Sequence, residues 1–445
     1  MTGRSRDLLL TWYGDDFSGS TDVMEAFARN GISSVLFLHA PTDEQLDRFP
    51  GVRAVGVAGL SRSQSPEWMS QHLPPVFERL KQLDAPICHY KICSTFDSSP
   101  DIGSIGCALD IGQRVFGSAW SPLVAGAPIL RRYTLFGNLF ATVDGIGYRL
   151  DRHPTMSRHP VTPMHESDLR VHLSLQTRKR IGLIDILALQ GGDAGERLER
   201  LLSEGTEVVL FDVLDEPSLR EIGRLIWGDA RREQRFAVGS SGVEYALAAW
   251  WRESGAVPVS SPTFAVQPVD RIAAVSGSCS PVTEGQIRWA LANGFEGIPV
   301  DAAALVAGES SAYDEALSRA EAALGRGKSV VVYTALGPSG AMMIDTEKAG
   351  ADSRHTIGAR LGSLLRDVLK RSGVTRAVVA GGDTSGQAAQ QLDISALQIV
   401  SPVAPGSPLC RAFSESSGIQ NLEIVFKGGQ VGTESFFGVV RQGGA

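Results

Sequence analysis

Two adjacent carboxylates near the start of the chain are the first residues suited to chemistry. Asp15 and Asp16 follow an apolar strand pattern over residues 8–13, and the residues after them include Ser18, Gly19, Ser20 and Thr21. A carboxylate in such a turn can take a proton from a hydroxyl group or hold a metal ion. The alternative is that the pair only caps the next helix. Two carboxylates with four small polar residues exceed the needs of one cap, so we interpret the pair as functional.

Basic and hydroxyl side chains follow two further strand patterns. Arg62 stands just past a strand over residues 52–57, where a guanidinium could hold a carboxylate through two hydrogen bonds. Lys91 ends the next strand, and a dense loop of hydroxyl residues follows it. This set suits a small polyhydroxylated acid, although a solvated arginine and a loop of helix caps would look similar. The predicted substrate-binding residues are Arg62, Lys91, Ser94, Thr95 and Ser98.

A glycine turn in the second half of the chain predicts a phosphate site. Residues 378–392 have the pattern of a strand, a glycine pair and a helix, and the N–H groups at a helix start attract phosphate. Two other strand-to-turn patterns carry small residues that could contact the same ligand. A plain structural turn is the alternative for each of the three. The predicted nucleotide-binding residues are Ser276, Ser278, Gly381, Gly382, Asp383, Thr384, Ser385, Gly386, Gly428 and Gly429.

Strand and helix patterns alternate along most of the chain, which predicts an α/β protein with mainly parallel sheets flanked by helices. Residues from about 127 to 176 have weak periodicity and predict long loops or a small insertion. Serine, glycine and proline concentrate in residues 254–268, which we interpret as a linker. The predicted domains are residues 1–253, binding the substrate, and residues 269–445, binding the nucleotide.

The composition restricts the class of protein. The chain has 445 residues, 43% hydrophobic and 20% charged, with a formal net charge of −7, which is ordinary for a globular protein. It has no long run of basic residues and no stretch of membrane-spanning length, so we expect neither a nucleic-acid partner nor a membrane partner. We expect a cytoplasmic protein that acts on small molecules. Its five scattered cysteines predict reduced thiols and no zinc site.

The chain resembles the four-carbon acid sugar kinase family in five motifs that extend over nearly its whole length. They are Tyr13-Gly14-Asp15-Asp16-Phe17-Ser18-Gly19-Ser20, Tyr90-Lys91-Ile92-Cys93-Ser94-Thr95-Phe96-Asp97-Ser98, Ser276-Gly277-Ser278, Gly381-Gly382-Asp383-Thr384-Ser385-Gly386 and Lys427-Gly428-Gly429-Gln430-Val431-Gly432. The resemblance implies a sugar-acid-binding domain, a nucleotide-binding domain, an active site in the cleft between them, and the use of ATP with Mg²⁺. Residues 93–98 are most similar to the 3-oxo-tetronate kinase branch.

Two motifs differ from the usual family form. Gly14-Asp15-Asp16-Phe17-Ser18-Gly19-Ser20 stands where Ala-Asp-Asp-Leu/Phe-Thr-Gly-Ala is usual, and Gly103-Ser104-Ile105-Gly106 where Gly-Asn-Ile-Gly is usual. These positions would read the hydroxyl groups of the sugar. The substrate is therefore predicted to be a 3-oxo-tetronate or a related oxo acid, including branched ones.

The predicted mechanism gives Asp16 the role of general base, with Asp15 orienting it or holding Mg²⁺ and with Asp383 as the rival base. No set of metal ligands is assigned, and a homodimer is expected. One alternative is a D-threonate or D-erythronate kinase. Another is a non-catalytic sensor that closes over a sugar acid and a nucleotide. A dehydrogenase is disfavoured because no strand is followed by the glycine pattern of a dinucleotide site.

Overall fold

The computed structural model describes residues 7–143, 145–159, 161–230, 233–258, 264, 266–337, 346–416 and 418–444, without the side chains of residues 229, 346–352 and 383. The chain divides into two compact units, Met1–Pro262 and Thr263–Ala445. This division falls inside residues 254–268, part of which lies outside the described residues. The role of that segment as a linker stays a prediction. Among the described residues, no helix has the length and apolar character to cross a bilayer.

The first unit alternates strands and helices. Its strands are β1 (Leu10–Gly14), β2 (Ser34–Phe37), β3 (Ala54–Ala58), β4 (Ile87–Lys91), β5 (Ser121–Val124), β6 (Arg132–Leu135), β7 (Asn138–Val143), β8 (Ile146–Arg149), β9 (Ile181–Ile184), β10 (Val208–Phe211) and β11 (Arg235–Gly239). Its helices are α1 (Phe17–Arg29), α2 (Asp43–Asp47), α3 (Pro66–Gln82), α4 (Ile105–Phe116), α5 (Leu169–Ser174), α6 (Ile186–Gly191), α7 (Ala194–Ser203), α8 (Glu216–Ala230) and α9 (Gly242–Glu253).

The main sheet of this unit is parallel, in the order β2-β3-β1-β4-β11-β5-β10-β9. The central strands are buried along their whole length, as is usual for a sheet with helices on both faces. Trp12, Phe27 and Trp251 pack in sequence between β1, α1 and α9. The predicted parallel α/β fold is confirmed.

The region from residue 127 to 176, predicted as long loops or a small insertion, contains regular structure. Strands β6, β7 and β8 form a separate three-stranded antiparallel sheet. The strands are short and have few buried positions, which is why the sequence shows little periodicity there.

The second unit also alternates strands and helices. Its strands are β12 (Ala273–Ser276), β13 (Glu296–Pro299), β14 (Val330–Tyr333), β15 (Arg376–Ala380), β16 (Ile394–Ala404), β17 (Ser407–Ser414) and β18 (Glu423–Lys427). Its helices are α10 (Pro281–Ala292), α11 (Ala302–Ala307), α12 (Ser310–Gly325), α13 (Thr346–Ser372), α14 (Gly382–Gln391) and α15 (Phe436–Gln442).

These strands have the order β13-β14-β12-β15-β18-β17-β16 and are parallel except at β17 and β16. Strands β16 and β17 form one long hairpin. Prolines disfavour a regular ladder, and the ladder of this hairpin shifts register between Ser401 and Ala404, around Pro402.

Candidate functional site

The carboxyl ends of β1, β3, β4 and β11 meet at one edge of the first sheet. Gly14 pairs with Ala58 on one side and with Lys91 on the other, and Lys91 pairs with Gly239. The segments that follow these strands therefore begin side by side. Open α/β sheets bind ligands at this edge.

Asp15, Asp16 and Arg62 form one hydrogen-bonded cluster at this edge. The Arg62 guanidinium donates to both oxygens of Asp15, from Nη2 to Oδ1 at 2.6 Å and from Nε to Oδ2 at 3.1 Å. Its Nη1 donates to Asp16 Oδ2 at 2.7 Å. Two of the five guanidinium N–H groups remain for another ligand. The structure thus brings the predicted carboxylate pair together with Arg62, which the sequence predicted separately. Most N–H groups of the guanidinium that was expected to hold the substrate are bonded to the two aspartates.

Asp16 is also the N-cap of α1. Its Oδ1 accepts from the backbone N–H of Gly19 at 2.7 Å, which fixes the carboxylate over the first turn of the helix. A Cβ atom on Gly19 would lie 2.6 Å from this oxygen, so glycine is needed at this position. The capping role and the functional role therefore apply to the same carboxylate.

The two carboxylates differ in their exposure to solvent. The side chain of Asp15 is 3% exposed and that of Asp16 is 29% exposed. Burial raises the pKa of Asp15 to about 6, against the opposing effect of the Arg62 charge, and the Asp16 charge raises it further. Asp16 is therefore the carboxylate that a substrate can reach, and Asp15 lies behind it.

Lys91 is buried at the end of β4. Its Nζ donates to the Ile92 carbonyl at 2.9 Å and lies 3.2 Å from Asp22 Oδ2 on α1. The sequence analysis missed Asp22, because nothing local in the sequence indicates an ion pair between a helix and a later strand.

The loop after β4 contains the predicted hydroxyl residues. The Thr95 hydroxyl donates to Asp97 at 2.7 Å, and Ser94 is half-buried with no hydrogen bond in the described part of the chain. Ser98 is fully buried, where it donates to the Phe96 carbonyl, contacts His172 and accepts from Gln176. Ser94 is therefore placed to meet a ligand, whereas the contacts of Ser98 are internal. The roles of all three in binding substrate stay predictions.

Three loops converge at the carboxyl edge of the second sheet. Gly277 N donates to the Ala380 carbonyl at 3.1 Å, and Gly381 N donates to the Lys427 carbonyl at 2.9 Å. A Cβ atom on Gly429 would lie 2.6 Å from Ser278 Oγ. The predicted nucleotide-binding segments at 276–278, 381–386 and 428–429 are therefore neighbours, and we call them the glycine cradle.

Helix α14 begins within the glycine cradle. Its N-cap is Gly381, with φ of 127°, a conformation that favours glycine, and a glycine offers no side chain to cap the first N–H groups. Those groups are suited to an anion. Ser385 donates to the Gly381 carbonyl within the turn, so its hydroxyl is used internally. The Asp383 side chain lies outside the described residues.

The geometry defines a class of protein with two α/β units, one carrying a carboxylate and guanidinium site and the other a cradle for an anion. Residues 10–247 match the family model for a sugar-binding N-terminal domain, and residues 273–437 match that for a nucleotide-binding C-terminal domain. The chain therefore belongs to the four-carbon acid sugar kinase family that these two domains define, as its motifs predicted.

The relatives agree with the predicted kinase class. The chain is 51% identical over 445 residues to a 3-oxo-isoapionate kinase of Paraburkholderia graminis, covering 98% of this chain and 94% of the relative. It is 30% identical over 437 residues to a 3-oxo-tetronate kinase of Cupriavidus necator, covering 96% and 95%.

Solved structures agree with the fold. A Salmonella typhimurium protein titled a putative tRNA synthase has a TM-score of 0.79 and 26% identity, covering 97% of this chain and 98% of its own. A Haemophilus influenzae protein of the same fold has a TM-score of 0.75 and 25% identity, covering 96% and 98%.

Proposed function

We propose that this chain phosphorylates a hydroxyl group of a small 3-oxo sugar acid with ATP, and that a branched acid such as 3-oxo-isoapionate is its main substrate. The observation that carries this choice is the 51% identity to a 3-oxo-isoapionate kinase, against 30% to a 3-oxo-tetronate kinase. The 3-oxo-tetronates are the second choice.

Asp16 is proposed as the general base. It is the exposed member of the carboxylate pair, and its hydrogen bonds to Gly19 N and Arg62 fix its direction. The hydroxyl oxygen of the acid attacks the γ-phosphorus, the bond to the ADP oxygen breaks, and the hydroxyl proton passes to Asp16. Asp15 acts as a positioning residue, since its two hydrogen bonds hold Arg62 against Asp16.

The acid is proposed to bind beside this cluster. Arg62 has two N–H groups left for the acid, and Ser94 and Thr95 in the loop after Lys91 offer hydroxyl groups. Lys91 contributes positive charge that Asp22 partly balances. A small polyhydroxylated anion would find both charge and hydroxyl partners here.

ATP is proposed to bind at the glycine cradle. The first turn of α14 and the glycines at 428 and 429 offer backbone N–H groups to the phosphates. Mg²⁺ is assigned to the nucleotide phosphates, where it would balance their charge. Asp15 does not fit a Mg²⁺ site, because both its oxygens accept from Arg62. Among the described side chains, no three His, Cys, Asp or Glu residues are grouped as metal ligands.

The test is a coupled assay of ADP release with Mg-ATP and a panel of 3-oxo-isoapionate, 3-oxo-tetronates, D-threonate and D-erythronate. The variant is Asp16→Asn, which keeps the helix cap because asparagine caps as well as aspartate. We expect turnover to fall by ~100-fold or more, with nucleotide binding unchanged. The matched control is Asp301→Asn, which changes the N-cap of α11 and should leave turnover unchanged.

Each other outcome has a meaning. Near-normal turnover of Asp16→Asn would remove Asp16 from the role of base and favour Asp383. Preference for D-threonate or D-erythronate would correct the substrate. Silence across the panel, with ATP binding retained in calorimetry, would favour the sensor.

Two further expectations belong to this proposal. A kinase that uses ATP works where ATP is made, so we propose a cytoplasmic location, to be tested by cell fractionation. The homodimer also stays a prediction, which light scattering of the purified protein would test.

A further inference from the structure

The second unit contains a buried lysine that has no carboxylate partner among the side chains that the structure describes. Lys427 ends β18, and its side chain is 0% exposed. Its Nζ donates to Thr283 Oγ1 at 3.1 Å and lies 5.5 Å from the centre of the Phe436 ring. Among the described side chains it forms no ion pair. Since a buried ammonium is costly unless it is paired, this arrangement needs an explanation.

Three other cations that lie mostly inside the fold of the described residues are paired with carboxylates. Arg62 has Asp15 and Asp16, Lys91 has Asp22, and Arg376 has Glu423 at 2.5 Å. Lys427 and Arg376 lie at opposite ends of the same pair of strands, because β18 begins at Glu423. Within the described side chains, this strand pair thus holds a cation paired with a carboxylate at one end and a cation without such a partner at the other.

The end of the strand pair at which Lys427 lies is the end that carries the glycine cradle. The Lys427 carbonyl accepts from Gly381 N, and the Thr283 hydroxyl that Lys427 contacts donates to the Gly429 carbonyl at 2.7 Å. The ammonium is therefore linked through Thr283 to the segment at 428–429, and the backbone of Lys427 contacts the segment at 381–386.

Charged groups on the neighbouring elements do not supply the missing partner within the described residues. Glu284 and Arg288 on α10 pair with each other, and Arg441 on α15 lies over the Phe295 ring. Glu434 lies near Gly285 on α10. Arg376 on β15 pairs with Glu423.

We infer that Lys427 is the fixed counter-charge for the nucleotide phosphates, acting across the glycine loop, and that nucleotide binding is coupled to protonation of its amino group. This inference rests on the proposed binding of ATP at the glycine cradle. Lys427 is a positioning residue in this role, since its burial places it behind the loop and not against the phosphates.

The sign of the coupling follows from burial. Burial lowers the pKa of Lys427 to about 8 in the free protein. A bound polyanion favours the charged amine and raises this pKa, so binding above about pH 8 takes up a proton. Nucleotide affinity should be full below about pH 8 and should fall as the pH rises beyond it, by up to about tenfold at pH 9.5.

The experiment measures ADP and ATP binding by calorimetry on the full chain from about pH 7 to about pH 9.5, in two buffers of different ionisation enthalpy, with wild type, Lys427→Met and Lys328→Met. Wild type should take up a proton on binding above about pH 8. Lys427→Met should bind about 10- to 100-fold more weakly, with no proton uptake and no pH dependence. Lys328 lies half-exposed on the surface of the same unit, so Lys328→Met should behave as wild type.

Methionine has a similar length and no charge, so Lys427→Met should fold at least as stably as wild type without nucleotide. If it does not fold, the proton uptake of wild type still tests the inference. If Lys427→Met binds nucleotide weakly but wild type takes up no proton on binding, Lys427 has only a structural role and the inference is overturned. Proton uptake that persists in Lys427→Met would also overturn it. Failure of wild type to bind any nucleotide would instead overturn the proposed function.

Discussion

The carboxyl edges of the strands in the two units differ in whether their buried charges are paired. At the edge of the first sheet every buried charge has a partner, since Asp15 is paired with Arg62 and Lys91 with Asp22. At the edge of the second sheet the glycine cradle offers backbone amides and hydroxyls, and the buried Lys427 has no carboxylate partner among the described side chains. At the first edge the paired charges hold one another in fixed positions. The second edge has the groups that an anionic ligand would need.

The largest expected effect comes from breaking the pairing at the first edge. Arg62→Met leaves Asp15 buried without its partner and releases Asp16 from its orientation. We expect turnover to fall by about 100-fold or more and the free energy of unfolding by about 3 kcal/mol. Urea unfolding and the ADP-release assay measure the two effects.

The double variant Asp15→Asn with Arg62→Met separates these effects. It removes both buried charges, so stability should return toward wild type while turnover stays low. If stability did not recover, the pairing would not be what stabilises this edge.

The pH dependence of stability probes the same buried carboxylate. The pKa of Asp15 is about 6 in the folded protein, against about 4 when unfolded, so the folded state binds more protons between these values. Stability should therefore fall by about 2 kcal/mol as the pH rises from about 4 to about 6, and stay level above it. Burial also raises the pKa of Asp212 to about 6, which adds a change of the same sign. Urea unfolding of wild type and Asp15→Asn across this range measures it; an equal slope in both would contradict the assignment.

The second edge should respond to the shape of its backbone. Gly381→Ala places a Cβ atom 2.7 Å from Thr384 Oγ1 at a φ of 127°, which distorts the start of α14. Affinity for ATP should fall about tenfold, because backbone N–H groups supply the binding, while affinity for the sugar acid should be unchanged. Gly285→Ala, inside α10 where a Cβ atom would make only an ordinary contact with Glu434, is the matched control. Equal losses in both variants would point to general destabilisation.

The smallest effects should come from the loop after β4. Ser98→Ala removes a hydroxyl that is fully engaged with Phe96, His172 and Gln176, so it should cost about 1 kcal/mol of stability and leave KM within about twofold. Ser94→Ala should leave stability unchanged and raise KM a few-fold, since its hydroxyl has no partner in the described residues. Steady-state kinetics with thermal unfolding distinguishes the two, and a reversed pattern would exchange their roles.

The sequence predicted what depends on neighbouring residues. Strand, turn and helix around Asp16 and around Gly381 follow from local patterns, and both are confirmed. Arg62 was predicted as a partner of the substrate, yet three of its N–H groups bind Asp15 and Asp16, residues 46 and 47 positions away. No local pattern indicates such a contact. The hydroxyl residues from 94 to 98 could not be distinguished in the sequence for the same reason. In the structure Ser98 is buried against α5, whereas Ser94 is only half-buried.

Gln176 ties the loop after β4 to a distant part of the chain. Its amide donates to Ser98 and accepts from Gly106 N. These two bonds join the motifs at 90–98 and 103–106 to the segment that follows the three-stranded sheet. The proposed base, Asp16, is held separately, between β1 and α1. Substitutions in residues 127–176 are therefore expected to alter the loop that we propose binds the acid, while the proposed base keeps its position. Choice of substrate and proton transfer would then depend on separate parts of the chain.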